Sequence, residues 1–370
     1  MDQNSGSLTQ IVLRKLRKSP IGLISFGIIL FAAILTVFAY LFATDHTKNA
    51  NRQDLAIAYA PIGHQQLTLE IPLPNYTPNR AFGDYFFGKE IDSEQISISS
   101  YTIGDDQISY VPYLGNGLDG EKINVSTKSW TDLNIPQDQI EQNFIFNKTY
   151  LLGTDSYGRD FYSRLVVGTR ISFLIGFIAV FISLVVGVTL GAIAGYYKGR
   201  VDNLIMWLIN VIWSIPTLLL VIAITLAIGK GFWQIFIAVG LTMWVEVARV
   251  VRGQFLSYRE KEFVEAAKAL GFSDYNIIFK QIMPNIIAPV IVISAANFAS
   301  AILVESGLSF LGIGAQPPTP SWGNIIKEHY SHIILGKQHL AILPGLAIMI
   351  LVLGFNIFGN TLRDLMDIKN

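Results

Sequence analysis

The segment EFVEAAKALG, residues 262–271, is followed one residue later by SDYNIIFKQIMPN, residues 273–285. Charged side chains occur here between two segments that are otherwise strongly apolar. Gly271 suits the left-handed conformation that closes a helix, and Ser273 can cap a second helix. Pro284 is expected to stop or kink that second helix. The pattern predicts two short helices joined by a turn, and we call residues 262–285 the elbow.

Small residues give this elbow little side-chain bulk. Ala266, Ala267 and Gly271 are small, and Glu265 supplies a negative charge beside them. A surface of small side chains between charged residues suits docking into a groove of another protein. The alternative is an amphipathic loop that rests on the lipid surface.

The composition is that of a membrane protein. Of 370 residues, 51% are hydrophobic and 15% are charged, whereas about a quarter of the residues of a soluble domain are charged. Six stretches have about the 20 residues needed to cross a bilayer. They are residues 20–43, 171–196, 204–228, 232–251, 286–304 and 340–361. The apolar run of the first exceeds the roughly 7–15 residues of a signal peptide, so an uncleaved anchor is predicted.

Lysine and arginine predict the orientation. Fourteen of them lie in the amino terminus, the turn near Lys198, the loop after the fourth span and the carboxyl-terminal tail, which ends near Lys369. The short loops on the other face hold only Lys230, Lys327 and Lys337. Both termini and the loop 252–285 are therefore expected to be cytoplasmic. The absence of cysteine excludes disulfides and thiolate metal sites.

A soluble segment separates the first two spans. Residues 67–71 and 96–99 alternate between apolar and polar side chains, as short strands do. A structureless loop of this length is uncommon, so a small, mostly β extracytoplasmic insertion is predicted. The expected domains are residues 1–43 with the first span, the insertion 44–150, and a core 151–370 with five spans. Residues 44–170 contain 16 acidic and 10 basic residues, a net charge of −6. A solvated surface explains this charge; a lid over a pore or a dock for a delivery protein are sharper alternatives.

Two glycine-containing patterns surround the second span. GTDSYGRD, residues 153–160, continues through Ser163-Arg164 to Ser172 and predicts a turn that feeds an interfacial helix, with arginine and aspartate near the lipid headgroups. Gly187, Gly191, Gly195 and Gly199 then recur every four residues. This spacing leaves one helix face nearly bare and predicts close packing against another helix.

Polar residues within the later spans suggest a translocation path. Pro216 interrupts the third span in WSIPT, residues 213–217, and predicts a kink bordering the pathway. Ser214, Pro216 and Asn297 are the candidate path residues. Glu246 and Arg249 are expected to form an ion pair near the cytoplasmic interface, because ionisable groups at this depth need partners.

Features of enzymes and metal proteins are missing from the sequence. No phosphate-binding loop of the form GxxxxGK[ST] occurs, so ATP cannot be held by that route. His329 and His332 could in principle bind a metal ion, but nothing completes a site. The five histidines are therefore interpreted as lone exposed side chains, and no metal or cofactor is expected.

Several motifs together resemble one family. The spacing of EAA, Gly271 and Pro284-Asn285 resembles the coupling loop of ABC importer permeases, although Gln281 stands where that family commonly has histidine. GTDSYGRD, ESGLSFLG at 305–312 and GNTLRD at 359–364 resemble the second permease of the dipeptide, oligopeptide and nickel importers. The resemblance implies an all-α polytopic protein of the bacterial inner membrane, with the six transmembrane helices of the type I ABC importer permease fold.

The same resemblance implies a function and partners. The chain would move di- or oligopeptides into the cytoplasm by alternating access, together with a second homologous permease, two ATP-binding subunits and an extracytoplasmic peptide-binding protein. The residues implied in ATPase coupling are Glu265, Ala266, Ala267, Gly271 and Pro284. Nickel or another small solute is the alternative cargo. An ion-coupled secondary transporter is disfavoured because no midspan carboxylate is predicted.

Overall fold

The computed structural model describes residues 14–229 and 232–366, so the predictions for Lys230 and Lys369 lie outside the described residues. The chain is mostly helical. Five described helices are long and apolar enough to cross a membrane, and a bent pair raises the total to as many as six. A small β insertion follows the first span, as the sequence predicts.

Most spans extend beyond the predicted apolar stretches. The first is α1 (Pro20–Val37), continued by the short α2 (Ala39–Phe42), and the second is the 37-residue α6 (Phe161–Tyr197). The third is the pair α7 (Gly199–Trp213) and α8 (Thr217–Ile228). The last three spans are α9 (Phe232–Tyr258), α12 (Met283–Phe310) and α14 (His339–Met366). The amphipathic first turns of α6 project beyond the apolar stretch, so hydropathy alone places its start too late.

The insertion is a six-stranded antiparallel sheet with short helices. Its strands are β1 (His64–Pro72), β2 (Ser93–Ile103), β3 (Gln107–Gly115), β4 (Leu118–Asp119), β5 (Ile123–Ser126) and β6 (Ile145–Tyr150). The order is β4-β3-β2-β1-β6, with β5 also paired to β3. The helices α3 (Asp84–Phe87), α4 (Lys128–Thr131) and α5 (Gln137–Phe144) lie between the strands in sequence. Leu69, Ile98 and Trp130 are completely buried in the core of the insertion.

The third span is broken rather than gently kinked. α7 and α8 meet at an angle of 92° across Pro216. Pro216 lacks an amide hydrogen, and the residue before a proline avoids the helical conformation. The predicted break is therefore correct in position, but the change of direction is larger than a kink.

The glycine face of α6 packs against α9, as predicted for its first three members. A β-carbon at Gly191 would lie 2.6 Å from the carbonyl oxygen of Ala248 and 2.9 Å from the Cβ of Val251. Gly187 and Gly195 face the same helix at similarly short distances. Gly199 instead has a φ of +59° and begins α7, so it is not part of the contact.

Gly191→Ala is expected to destabilise the protein by about 1–3 kcal/mol, because the added methyl meets backbone atoms that cannot move without separating α6 from α9. Thermal unfolding of the purified protein measures the effect. Gly253→Ala is the matched control: Gly253 also lies within a helix, and a β-carbon added to it would meet nothing within 4 Å. Gly253→Ala should increase the free energy of unfolding by roughly 0.5–1 kcal/mol, because alanine favours the helix more than glycine does. Equal melting temperatures for the two variants would contradict the packing argument.

Candidate functional site at the elbow and the broken span

The turn of the elbow has the predicted geometry. α10 (Glu262–Ala269) ends with Gly271 at a φ of +78°. The amide of Gly271 donates to the carbonyl of Lys268 at 2.9 Å, and the amide of Phe272 donates to that of Ala267 at 3.1 Å. This pair of bonds is the Schellman motif that closes helices. The hydroxyl of Ser273 then accepts the amide of Asn276 at 3.5 Å and caps α11 (Asp274–Asn276).

Gly271→Leu is expected to distort this turn, because a β-carbon in the left-handed region costs on the order of 1 kcal/mol. A β-carbon at this position would have no neighbouring atom within 4 Å, so the penalty is conformational rather than steric. Gly271→Asn is the control, since asparagine tolerates this conformation. In reconstituted membranes, transport should fall more for the leucine variant than for the asparagine variant. Identical transport by both would show that the turn is not constrained.

The second half of the elbow differs from the prediction. Residues 277–282 form a π-helical turn that continues into α12, so Asp274–Phe310 is one helical segment and Pro284 does not stop it. Pro284 lies directly after this widened turn, and the helical segment continues past it. The side-chain amide of Asn285 donates to the carbonyl of Gln281 at 2.6 Å within the widened turn. The elbow therefore continues directly into a membrane span.

The structure divides the candidate coupling residues into two groups. Glu265, Ala266, Gly271 and Pro284 are exposed. Ala267 is only 5% exposed and packs with this chain's own core, beside residues such as Val264 and Ile278. The expectation that Ala267 meets a partner's groove is therefore wrong. A helix of two turns must bury one face against the body of the protein, and Ala267 lies on that face.

Large apolar side chains form the outer surface of the elbow, and they were not among the predicted site residues. Leu270 is 75% exposed, Tyr275 is 65% exposed, and Phe263, Phe272 and Phe279 are also exposed. We call these five residues the docking face. Exposed apolar side chains of this kind indicate contact with another protein or with lipid. In the sequence, the large apolar residues Leu270 and Phe272 on either side of Gly271 could have indicated this surface, but they lie outside the motif of small residues.

Polar bonds fix the elbow to the membrane helices. The hydroxyl of Tyr196 donates to a carboxylate oxygen of Asp274 at 2.6 Å. Arg252 forms a two-pronged ion pair with Asp202 at 2.5 and 2.7 Å. These bonds connect the elbow and the end of α9 to α6 and α7.

A cleft of about 190 Å³ lies beside the broken span. Its wall comes from the break, from α9 and from α12 and includes Trp213, Thr217, Glu246 and Ser300. Ser214 and Pro216 lie in the break and are exposed. Asn297 is 1% exposed and donates to the carbonyl of Met243 at 3.5 Å, so it joins α12 to α9 instead of lining the cleft. Ser214 and Pro216 are thus neighbours in sequence of residues that line the cleft, and Asn297 is internal.

The expected ion pair between Glu246 and Arg249 is wrong. The guanidinium of Arg249 lies 3.5 Å above the ring of Trp213 and donates to the side chain of Asn210 at 3.0 Å. Glu246 is exposed on the cleft and has no ion-pair partner among the described residues. The side chain of Arg249 points towards Trp213 and Asn210, so it contacts these two residues and not Glu246.

A second carboxylate lies within the described spans. Glu305 belongs to α12, is fully buried, and accepts the hydroxyl of Ser309 at 2.7 Å. Glu305 lies near the carboxyl-terminal end of α12 and not at midspan. The predicted span ended at residue 304, whereas α12 continues to Phe310. Glu305 accepts a hydrogen bond from a serine hydroxyl of its own helix, so it contributes to the packing of α12.

The residues expected near lipid headgroups form a buried charge network instead. Arg159 pairs with Asp155 at 2.6 Å and with Glu328 at 2.7 Å. Arg164 lies 3.5 Å from Asp155 and 3.3 Å from Glu328, and its side chain is 1% exposed. Glu328 belongs to α13 (Trp322–His329), so the network fastens this helix to the start of α6.

The same network contains a cluster with metal-ligand atoms. Ligand atoms of Asp155, Glu328 and His329 lie within 4.8 Å of one another. Two guanidinium groups already occupy the carboxylates, and a divalent cation there would be repelled. The prediction that His329 is exposed is wrong, because its side chain is buried. Burial lowers the pKa of His329. These donors do not fit a metal ion, because their positive partners are already in place.

Comparisons with known proteins define the class. Residues 187–369 match the family model described as the inner membrane component of binding-protein-dependent transport systems. Residues 7–61 match the model for the N-terminal transmembrane domain of oligopeptide transport permease C. The chain belongs to the family of inner membrane components of binding-protein-dependent transport systems, and this membership confirms the predicted permease fold.

Particular relatives have more specific names. The chain is 37% identical over 223 residues to a glutathione transport system permease protein, GsiD, from Pectobacterium atrosepticum, covering 60% of this chain and 74% of the relative. It is 42% identical over 217 residues to a dipeptide transport system permease protein, DppC, from Alkalihalophilus pseudofirmus, covering 59% and 71%. An inward-facing structure of the MetNI methionine ABC transporter aligns with a TM-score of 0.46 and 18% identity, over 55% of this chain and 96% of that one.

Proposed function

We propose that this chain is a permease subunit that imports di- or oligopeptides into the cytoplasm, driven by ATP hydrolysis on separate chains. Family membership supports the transport role, and the names of the glutathione and dipeptide relatives support a peptide cargo. The observation that carries the coupling is the docking face. It is apolar, exposed and bonded through Asp274 to the membrane helix α6.

The proposed complex contains a second homologous permease, two ATP-binding subunits and an extracytoplasmic peptide-binding protein. The cleft at the broken span has a volume of about 190 Å³, and we propose that the pathway is completed by the second permease. Closure of the ATP-binding subunits would move the docking face. Because the elbow continues into α12 and is bonded to α6, the same movement would open the cleft to alternate sides of the membrane.

Both termini and the elbow are proposed to be cytoplasmic, and the insertion extracytoplasmic. The chain lacks cysteine, so single cysteines can report orientation. Asp105 and Lys261 are both exposed. An impermeant maleimide applied to intact cells should label Asp105→Cys and not Lys261→Cys, while both should react after lysis. Labelling of position 261 alone in intact cells contradicts the orientation.

The cargo is tested with the complete complex in proteoliposomes. Uptake of a labelled dipeptide, of glutathione and of nickel is compared in the presence of ATP and of a non-hydrolysable analogue. We expect peptide uptake that requires ATP hydrolysis. Nickel uptake without any peptide uptake would replace the proposed cargo with the alternative one, and uptake independent of ATP would remove the proposed mechanism.

A further inference from the structure

A second exposed apolar surface lies on the insertion, far along the chain from the docking face of the elbow. Phe82 is 82% exposed and Phe87 is 68% exposed, and Tyr85 between them is 38% exposed. They belong to the segment 81–88, whose centre is the single-turn helix α3. The rings of Phe82 and Phe86 lie 5.4 Å apart. A soluble surface rarely presents three aromatic side chains so close together, so something covers them.

Arg170 gives the height of this segment relative to the membrane. The guanidinium of Arg170 donates to the backbone carbonyl of Phe86 and lies 5.5 Å from the rings of both Phe87 and Tyr40. Residues 171–197 of α6 contain no charged residue. Arg170 therefore marks the end of the apolar part of α6, where a long cationic side chain reaches the headgroups.

The first span gives the same height independently. Phe38, at the end of α1, packs against Phe86 with ring centroids 5.8 Å apart. Leu41 and Phe42 of α2 follow at the same end and are 55% and 43% exposed. Farther down α1, Phe31 is 61% exposed among other outward-facing apolar residues. The aromatic surface of the insertion is thus continuous with the outward-facing surface of the first span.

The segment is also held rigidly in this place. The amide of Lys48 donates to the carbonyl of Lys89 at 2.8 Å, and the amide of Lys89 donates to the carbonyl of His46 at 2.9 Å. Gly88 has a φ of +78°, and a β-carbon there would lie 2.7 Å from the ring of Tyr40. The backbone after the first span and the backbone after α3 are therefore bonded together, which holds this segment beside the end of the first span.

We infer that residues 81–88 insert Phe82 and Phe87 into the interface of the lipid bilayer and attach the insertion to the membrane surface. Aromatic side chains are enriched at this depth because their rings are apolar while their surroundings are partly hydrated. Arg80 lies 5.6 Å from the ring of Tyr85 and, with Arg170, places positive charge beside the apolar rings where lipid phosphates lie. The occupant of the surface is lipid, and the inference is independent of the transported cargo.

Spin labels at single cysteines test the inference in the assembled complex, reconstituted in nanodiscs. Labels are placed at Phe82→Cys and Phe87→Cys, and collision with oxygen is compared with collision with a water-soluble nickel chelate. Phe31→Cys is the lipid reference on the first span. Leu118→Cys, whose leucine is 64% exposed on β4 of the insertion, is the water reference. Oxygen concentrates in the bilayer and the chelate in water, so their ratio reports depth.

At positions 82 and 87 we expect an oxygen-to-chelate ratio close to that of position 31 and well above that of position 118. A ratio equal to that of position 118 would show that the surface is in water and overturn the inference. Low collision rates with both reagents would show that protein covers the surface, which also overturns it. Failure of peptide uptake in the same complex would affect the proposed cargo only, because collision rates do not depend on transport.

Discussion

Leu270→Asp is expected to weaken the binding of the ATP-binding subunits strongly while the chain itself keeps its stability. Leu270 is 75% exposed and forms part of the docking face. Burying a leucine against a partner contributes about 1.5–3 kcal/mol, and an unpaired carboxylate in the same place costs several more. Since about 1.4 kcal/mol changes an equilibrium constant tenfold, the affinity should fall by at least about a hundredfold. Co-purification of the ATP-binding subunits and ATP hydrolysis stimulated by cargo are the measurements.

The matched control for Leu270→Asp is Leu118→Asp. Leu118 is similarly exposed, at 64%, but lies on the insertion. Its replacement should leave assembly and hydrolysis unchanged. Normal assembly of the Leu270 variant would show that the docking face does not carry the contact with the ATP-binding subunits.

Arg164→Met is expected to have the largest effect on the stability of the chain. Arg164 is 1% exposed and lies within 4 Å of both Asp155 and Glu328. Methionine approximates the volume of the side chain but leaves the two carboxylates with only Arg159 to balance them. Removal of one partner from a buried ion pair costs about 3–5 kcal/mol. Thermal unfolding in detergent should show a clear fall in melting temperature.

Lys198→Met is the control for the charge network. Lys198 pairs with Glu260 at 2.6 Å, but the two side chains are 39% and 70% exposed. Exposed ion pairs contribute little because water screens them. The melting temperature of the Lys198→Met variant should therefore match that of the unmodified protein. A fall as large as that of Arg164→Met would mean that burial is not the cause of the difference.

Local features of the fold could be predicted from the sequence because their causes are local. The left-handed turn at Gly271, the capping by Ser273 and the break at Pro216 depend on the conformational limits of single residues. The packing of Gly187, Gly191 and Gly195 required only their spacing. The alternating segments of the insertion likewise predicted strands, and the sheet that the structure shows confirms a small β insertion.

Features that depend on distant residues could not be predicted in this way. Arg164 and Glu328 are 164 residues apart in sequence, so nothing local indicates that they meet. Hydrophilicity placed Arg164 at the headgroups, although its partners bury it. Ala267 was assigned to the outer side of the elbow by its small size, but the side that faces the protein depends on where α10 packs. The exposed position of Leu270 follows from the same packing and was missed for the same reason.

Site-specific cross-linking from position 270 tests the central claim most directly. The chain contains no cysteine, so Leu270→Cys can carry a maleimide-benzophenone in the complete complex, with the same probe at Leu118→Cys as reference. We predict a cross-link from position 270 to an ATP-binding subunit and none to that subunit from position 118. Cross-links from position 270 only to lipid, or only to the extracytoplasmic binding protein, would contradict the proposed coupling.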